Sequence, residues 1–213
     1  MARPVLFVLA GVNGAGKSSI GGHLLERAGF TWFNPDRFAF ELRATTNCDQ
    51  DTANSLAWHE GIRRFDDALA RNRNYVFETT LGGRTVAAKI RHAARSHDVV
   101  VWFCGLSSPE LHIARVKARV AAGGHDIPDA LIRERYPRAI VNLIGLMPHV
   151  AHLQVYDNSR EAGNDGKVPD PVLLLQIERK RIVYPARHDA AILRRTPDWA
   201  KPLLESAYAT AQR

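Results

Sequence analysis

The fold predicted for this chain follows from one stretch, Gly11-Val12-Asn13-Gly14-Ala15-Gly16-Lys17-Ser18, in a sequence of 213 residues. The stretch fits the pattern G-x-x-x-x-G-K-[ST] at every specified position, and it follows an apolar run from Val5 to Ala10. This combination is typical of a Walker A phosphate-binding loop, or P-loop, between a strand and a helix. In such a loop, backbone N–H groups and the positive end of the helix dipole face phosphate oxygens.

The same loop predicts a site for ATP with Mg²⁺. Lys17 would reach the β- and γ-phosphates, and the Ser18 hydroxyl would hold a Mg²⁺ ion that bridges them. Ser18 is therefore the predicted metal ligand. The predicted nucleotide-binding residues are the loop positions and the residue that follows them: Gly11, Asn13, Gly14, Ala15, Gly16, Lys17, Ser18 and Ser19.

Apolar runs alternate with helix-forming segments along the rest of the chain. This order predicts an α/β protein with a doubly wound, mostly parallel sheet, of the kinase-type P-loop NTPase fold, in one domain over residues 1–213. A helical lid broken by prolines is predicted over about 123–150, and a hairpin of 172–177 with 181–184 at the sheet edge. The predicted strands are 5–10, 30–33, 75–77, 98–104 and 152–156.

Composition limits the choice of partners. The net charge of +7 is the difference between 29 basic and 22 acidic residues, and the basic ones are spread along the chain rather than gathered in a tail. A nucleic-acid partner is therefore not expected; small polyanionic substrates explain the charge equally well, and a solvated basic surface is the third alternative. No apolar run approaches the length of a membrane span, and the start of the chain has no signal-peptide pattern. The expected location is the cytoplasm, with no membrane partner.

Asp36 is the predicted catalytic base. A kinase must orient an acceptor hydroxyl and receive its proton, usually with a carboxylate. Ligands of doubly wound sheets bind beyond the carboxyl ends of the strands, and Asp36 follows the predicted second strand there. The alternative is that Asp36 only caps the helix that begins at this point.

Three further residues are predicted on the acceptor side: Glu78, Thr80 and Arg84. Glu78 ends an apolar strand, where an unpaired carboxylate would be costly, so it should meet a Mg²⁺-bound water, an arginine or a substrate hydroxyl. A structural salt bridge is the alternative for Glu78, and a turn or cap for Thr80. The strand 98–104 lacks a terminal Walker B acid, which favours a small-molecule kinase over a motor ATPase.

Arginines on the lid-forming segments are candidates for phosphate binding, because guanidinium groups can clamp ATP and stabilise the transferring phosphoryl group. At least two of them are expected to act on phosphate. They are Arg115, Arg119, Arg133, Arg135 and Arg138.

With these residues located, the chain resembles the zeta-toxin family of P-loop kinases, in particular its stand-alone chromosomal branch described as predicted ABC-type ATPase. The resemblance covers residues 5 to about 160. The segments that carry it are 10–18, Asn34-Pro35-Asp36, 77–81, Arg119 with Gly123-Gly124-His125-Asp126-Ile127-Pro128, Arg135-Tyr136, and Tyr156-Asp157-Asn158-Ser159.

The resemblance implies a phosphotransferase that uses ATP, with Asp36 as base and with Arg119 and Arg135 as catalytic phosphate sensors beside Lys17. Family toxins phosphorylate a hydroxyl of UDP-N-acetylglucosamine and are neutralised by a small antitoxin, so both are expected partners. Two other hypotheses stay open. One is a kinase of a nucleoside, an antibiotic or a nucleic-acid 5′-hydroxyl, and the other is a non-catalytic ATP-binding regulatory module.

Overall fold

The computed structural model describes residues 2–17, 21, 32–160 and 169–210. Ser18 and Ser19 lie outside the described residues, as do the helix predicted after the P-loop and the polar loop 161–167. Of the predicted strand 30–33, only Trp32 and Phe33 are described.

The described residues form a six-stranded sheet with the order β2-β1-β3-β4-β5-β6. The first four strands in this order are parallel, and β5 and β6 are antiparallel. The α/β fold with a mostly parallel sheet and a C-terminal edge hairpin is therefore confirmed. The strands are β1 Val5–Ala10, β2 Tyr75–Thr79, β3 Asp98–Gly105, β4 His152–Asp157, β5 Val172–Glu178 and β6 Arg181–Tyr184.

Helices connect the successive parallel strands along the chain and pack against the sheet. Side chains of Asn34, Asp49 and Ser108 accept hydrogen bonds from the first turns of α1, α2 and α4, as capping residues do. Their ranges are α1 Pro35–Thr46, α2 Gln50–Ala70, α3 Arg84–Ala93, α4 Pro109–Ala121, α5 Asp129–Leu146, α6 Ala190–Arg195 and α7 Lys201–Thr210. Within the described residues, no helix combines the length and apolarity that crossing a membrane requires.

The second predicted strand is reduced to one bridge in its described part. Phe33 pairs with Phe77, with its N–H donating to Val76 O at 3.0 Å and its carbonyl accepting from Glu78 N at 2.9 Å. This bridge places the following residues of the chain, up to Asp36, beside the carboxyl end of β2.

The segment predicted as a broken helical lid needs a correction. Helix α5 runs without interruption from Asp129 to Leu146, and Pro137 lies inside it. Leu143 and Leu146 are fully buried in the main core, so the second half of the segment is anchored to the body of the protein. Ile132, in the first turns of α5, is also fully buried in this core, so the lid stays a prediction for the loop 123–128 alone.

Candidate active site

The P-loop backbone adopts a conformation that glycine alone tolerates well. Gly11 has φ +141° and Gly14 has φ +81°, both in the region that disfavours residues with a Cβ. A Cβ on Gly11 would lie 2.2 Å from the carbonyl oxygen of Cys104, and one on Gly14 would lie 2.6 Å from that of His112. The loop is thus pressed against β3 and α4, with a cradle that a side chain would disrupt.

Two side chains hold the carbonyl groups of this loop from outside. Asn158 Nδ2 donates to Ala15 O at 2.9 Å, and His112 Nδ1 lies 2.8 Å from Asn13 O. Burial lowers the pKa of His112 to about 4, so its ring is neutral at pH 7, and Nδ1–H donates to the carbonyl. With these carbonyls turned outward, loop N–H groups can face a ligand. His112 was missed by sequence reasoning, because nothing in its local pattern indicates a contact so far along the chain.

Lys17 and Glu78 meet at the centre of the site. Lys17 Nζ lies 3.4 Å from Glu78 Oε1, and each residue is only 6% exposed. Glu78 Oε2 also accepts a hydrogen bond from Asn34 Nδ2 at 2.8 Å. The structural salt bridge considered for Glu78 is present, and its partner is the P-loop lysine.

The position of Glu78 also corrects the interpretation of the missing Walker B acid. Strand β3 indeed ends in Cys104 and Gly105, but β1 has a second parallel neighbour, β2. Glu78 lies near the carboxyl end of β2, paired with Leu9 of β1. A carboxylate therefore stands beside the P-loop on that side of β1, so the absence of one from β3 does not distinguish a kinase from a motor ATPase.

Asp36 is the second residue of α1 and does not cap it. The cap is Asn34, whose Oδ1 accepts from Arg37 N at 3.0 Å, so the capping interpretation of Asp36 is wrong. Asp36 Oδ2 lies 3.5 Å from Nε2 of His125. Desolvation raises the pKa of Asp36, but the hydrogen bond with His125 and the charges of Lys17, His125 and Arg119 outweigh it and lower the pKa below its usual value. Asp36 is therefore an ionised, half-buried carboxylate near the P-loop lysine.

Two of the five candidate arginines contact the groups described above. Arg135 Nη1 donates to Asn13 Oδ1 of the P-loop at 2.8 Å. Arg119 Nη2 donates to the carbonyl of His125 at 2.9 Å, and among the described residues its Nε is buried without a hydrogen-bond partner. Arg135 thus contacts the P-loop directly, and Arg119 contacts the histidine that lies beside Asp36.

The other three arginines have different surroundings. Arg133 pairs with Glu110 and Arg138 pairs with Glu134, all on exposed surface. Arg115 Nη2 donates to the carbonyl of Arg160 at 3.0 Å.

The remaining predicted acceptor residues lie at the edge of the site. Thr80 Oγ1 accepts from Gly82 N at 3.4 Å, a turn contact that agrees with the alternative considered for it. Arg84 is exposed at the first turn of α3. Neither side chain has a contact here that assigns it to an acceptor.

The residues present fit a nucleotide with Mg²⁺ held mainly through phosphate. Within the described parts of the chain, no cluster of three or more His, Cys, Asp or Glu could hold a metal by itself. Mg²⁺ usually binds with nucleotide through one or two protein oxygens, and it keeps several waters. The buried Glu78 carboxylate, the P-loop cradle and the lysine are consistent with that arrangement.

The sheet order, the loop and the buried lysine define a P-loop kinase-like fold. The family model described as AAA domain matches residues 6–135, more than half of the chain, so the chain belongs to this AAA-domain family. Nucleotide binding is implied by that family and by the P-loop. An uncharacterized protein of Haemophilus influenzae is 26% identical over 144 residues, which cover 64% of this chain and 100% of that protein.

Solved structures share the fold at low sequence identity. The crystal structure of AvrRxo1-ORF1:-ORF2 with ATP matches with a TM-score of 0.64 and 15% identity, covering 99% of this chain and 76% of that one. The PezAT chromosomal toxin–antitoxin system of Streptococcus pneumoniae matches with a TM-score of 0.59 and 14% identity, covering 100% and 85%. These similarities agree with the predicted zeta-toxin-like kinase fold.

Proposed function

We propose that the protein is an ATP-dependent phosphotransferase that moves the γ-phosphoryl group to a hydroxyl of a small-molecule acceptor. The observation that carries the proposal is the ionised Asp36 carboxylate, held by His125 in the field of the P-loop lysine. A nucleotide-binding module without transfer has no need of such a carboxylate. An acceptor hydroxyl does need one, because its proton must leave as the new bond to phosphorus forms.

The nucleotide would lie along the P-loop. Loop N–H groups and Lys17 would bind the β- and γ-phosphates, and Ser18 with a water near Glu78 would serve Mg²⁺. The bound ion would supply neutralisation of the charge on the phosphate oxygens. Gly11, Asn13, Gly14, Ala15, Gly16 and Ser19 complete the proposed nucleotide site.

Transfer itself needs positioning and charge stabilisation more than covalent chemistry. The bond between the γ-phosphorus and the β,γ-bridging oxygen breaks, ADP leaves, and a bond forms between phosphorus and the acceptor oxygen. The acceptor proton passes to Asp36. Arg119 and Arg135 would stabilise the charge on the transferring group, which is supported by the contact of Arg135 with Asn13 of the P-loop and of Arg119 with His125 beside Asp36.

The acceptor proposed from the zeta-toxin resemblance is a UDP-N-acetyl amino sugar, bound near Asp36, Glu78, Thr80 and Arg84. A small antitoxin remains a proposed partner on the same basis. The basic surface of the chain keeps a nucleic-acid 5′-hydroxyl as a second acceptor to be tested.

The test is a product search with ATP and Mg²⁺. The protein is incubated with UDP-N-acetylglucosamine, with nucleosides, with an RNA that bears a 5′-hydroxyl, and with a metabolite extract. Lys17→Met serves as the matched blank. A product heavier by one phosphoryl group, formed with release of ADP by wild type alone, would support the proposal and identify the acceptor. Saturable ATP binding with no phosphorylated product in any mixture would contradict it and favour a binding module.

A further inference from the structure

The loop that follows helix α4 carries a histidine, His125, between two groups of opposite charge. His125 Nε2 lies 3.5 Å from Asp36 Oδ2 and 3.3 Å from Arg119 Nη2. The ring is largely shielded, with 18% of the side chain exposed.

One nitrogen cannot serve both neighbours at once. A guanidinium only donates hydrogen bonds, and a carboxylate only accepts them. When Nε2 lacks a proton it can accept from Arg119, and when Nε2 carries a proton it can donate to Asp36. The position of one proton therefore decides which neighbour the ring engages.

The loop is fixed to Arg119 by more than this contact. Arg119 Nη2 donates to the carbonyl of His125 at 2.9 Å. A Cβ on Gly124 would lie 2.7 Å from Cγ of Arg119, so the backbone there passes directly over the arginine side chain. A ligand that moves the guanidinium of Arg119 would therefore change the contacts of the His125 ring.

The charged groups around the ring come from three elements and from its own loop. Helix α1 contributes Asp36, helix α4 contributes Arg119, and the P-loop contributes Lys17, whose charge acts on Asp36. Asp126, the next residue of the loop, has Oδ1 engaged by Ile127 N at 2.8 Å. The carboxylate of Asp36 is the acceptor that lies within reach of Nε2.

We propose that His125 is a positioning residue for Asp36, and that Arg119 competes for its ring until a nucleotide phosphate engages the guanidinium. Once Arg119 binds phosphate, Nε2–H holds Oδ2 of Asp36 and leaves Oδ1 to the acceptor hydroxyl. The Nε of Arg119, which is buried with no hydrogen-bond partner in the described parts of the chain, gives that phosphate a donor. Without nucleotide the ring is divided between Arg119 and Asp36, and with nucleotide it is committed to Asp36. This inference rests on the proposed function, since it takes Asp36 as the base.

The hydrogen bond from His125 is the largest of the effects that lower the pKa of Asp36, so the pair can be tested without turnover. The measurement is an NMR titration of the Asp36 carboxyl carbon in wild type, His125→Ala, His125→Gln and His92→Ala. His125→Ala should raise the midpoint by about 0.5–1 pH unit, as loss of one hydrogen bond would. His125→Gln keeps a donor and should stay nearer to wild type. His92, exposed on α3, is the matched control and should change nothing.

Equal midpoints in wild type and His125→Ala would overturn the proposal. The competition with Arg119 is tested by the ¹⁵N shift of Nε2 with a non-hydrolysable ATP analogue. A change toward a protonated Nε2 at saturation is expected, and no change would overturn the competition. In a turnover assay, the acid limb of kcat should move to higher pH in His125→Ala but not in His92→Ala. A shifted midpoint without detectable transfer by wild type would count against the proposed function alone, whereas transfer with unshifted midpoints would count against this inference alone.

Discussion

The two walls of the site are built in different ways. The P-loop wall, residues 11–17, is mostly buried and is held from behind by His112 and Asn158. The second wall, residues 119–138, has an exposed loop and charged side chains, of which Arg135 donates one hydrogen bond to Asn13 of the P-loop. The first wall is fixed by buried contacts, whereas the exposed loop of the second wall has the looser attachment that a closing element needs.

The largest expected effect comes from the buried pair that anchors the first wall. Lys17→Met should reduce transfer by about 10³-fold or more, because the phosphates lose their ammonium partner. It should also lower the free energy of unfolding by about 3 kcal/mol, because the buried charge of Glu78 loses the cation that pairs with it. Urea unfolding and product formation measure the two effects.

The control is the double variant Lys17→Met with Glu78→Gln. Removing the orphaned charge should restore most of the stability while transfer stays absent. If Lys17→Met alone is as stable as wild type, the ion pair does not stabilise this wall.

The next largest effect is a pH dependence of the free energy of unfolding that arises from His112, which holds the same wall. His112 is held neutral in the folded state, with its pKa lowered from 6.5 to about 4, whereas the unfolded chain takes up a proton as the pH falls below 6.5. Its contribution is fully present above pH 6.5 and is lost as the pH falls toward 4, by about 3 kcal/mol in all. His112→Gln retains an N–H donor but does not titrate. The stability difference between wild type and this variant should therefore shrink or reverse over that interval, and a difference independent of pH would contradict the assignment.

On the second wall, two arginines of α5 form a matched pair. Arg135→Ala should reduce transfer by about 10²-fold, since Arg135 reaches the P-loop through Asn13. Arg138→Ala removes an exposed pair with Glu134 and should leave both transfer and stability nearly unchanged. Equal losses in the two variants would mean that charge in general, rather than the position of Arg135, matters.

The smallest expected effect is a change in the amide exchange rate of the lid loop. Amides of residues 123–128 should exchange quickly without nucleotide and slow when an ATP analogue binds, whereas amides of the core strands should change little. Hydrogen exchange read by mass spectrometry reports both regions in one experiment. Equal protection of 123–128 with and without the ATP analogue would contradict the lid prediction.

The first wall could be predicted because its signal is local. The glycine positions, the lysine and the apolar strand before them are contiguous, and the structure places Gly11 and Gly14 in the backbone conformations that the motif requires. The order of strands and helices could be predicted equally well, because each element depends on local periodicity and on capping residues.

The rest of the site could be predicted only in part. Asp36 was selected because chain topology brings the ends of parallel strands together, yet its partner His125 lies far along the chain and has no pattern of its own. Pro137 suggested a break in a helix that tertiary packing keeps intact around Leu143 and Leu146. The pairing of Lys17 with Glu78 likewise depends on which strand lies beside β1.

The proposed role of Asp36 as acceptor of the hydroxyl proton is tested by the variant Asp36→Asn. The substitution keeps size and polarity but removes the basic oxygen, so transfer to the acceptor found in the product search should fall by about 10²-fold or more. ATP affinity, measured by calorimetry on the same sample, should stay close to wild type because the phosphates are held by the P-loop and Lys17. Wild-type transfer by Asp36→Asn would contradict the claim and leave Glu78 as the next carboxylate to test.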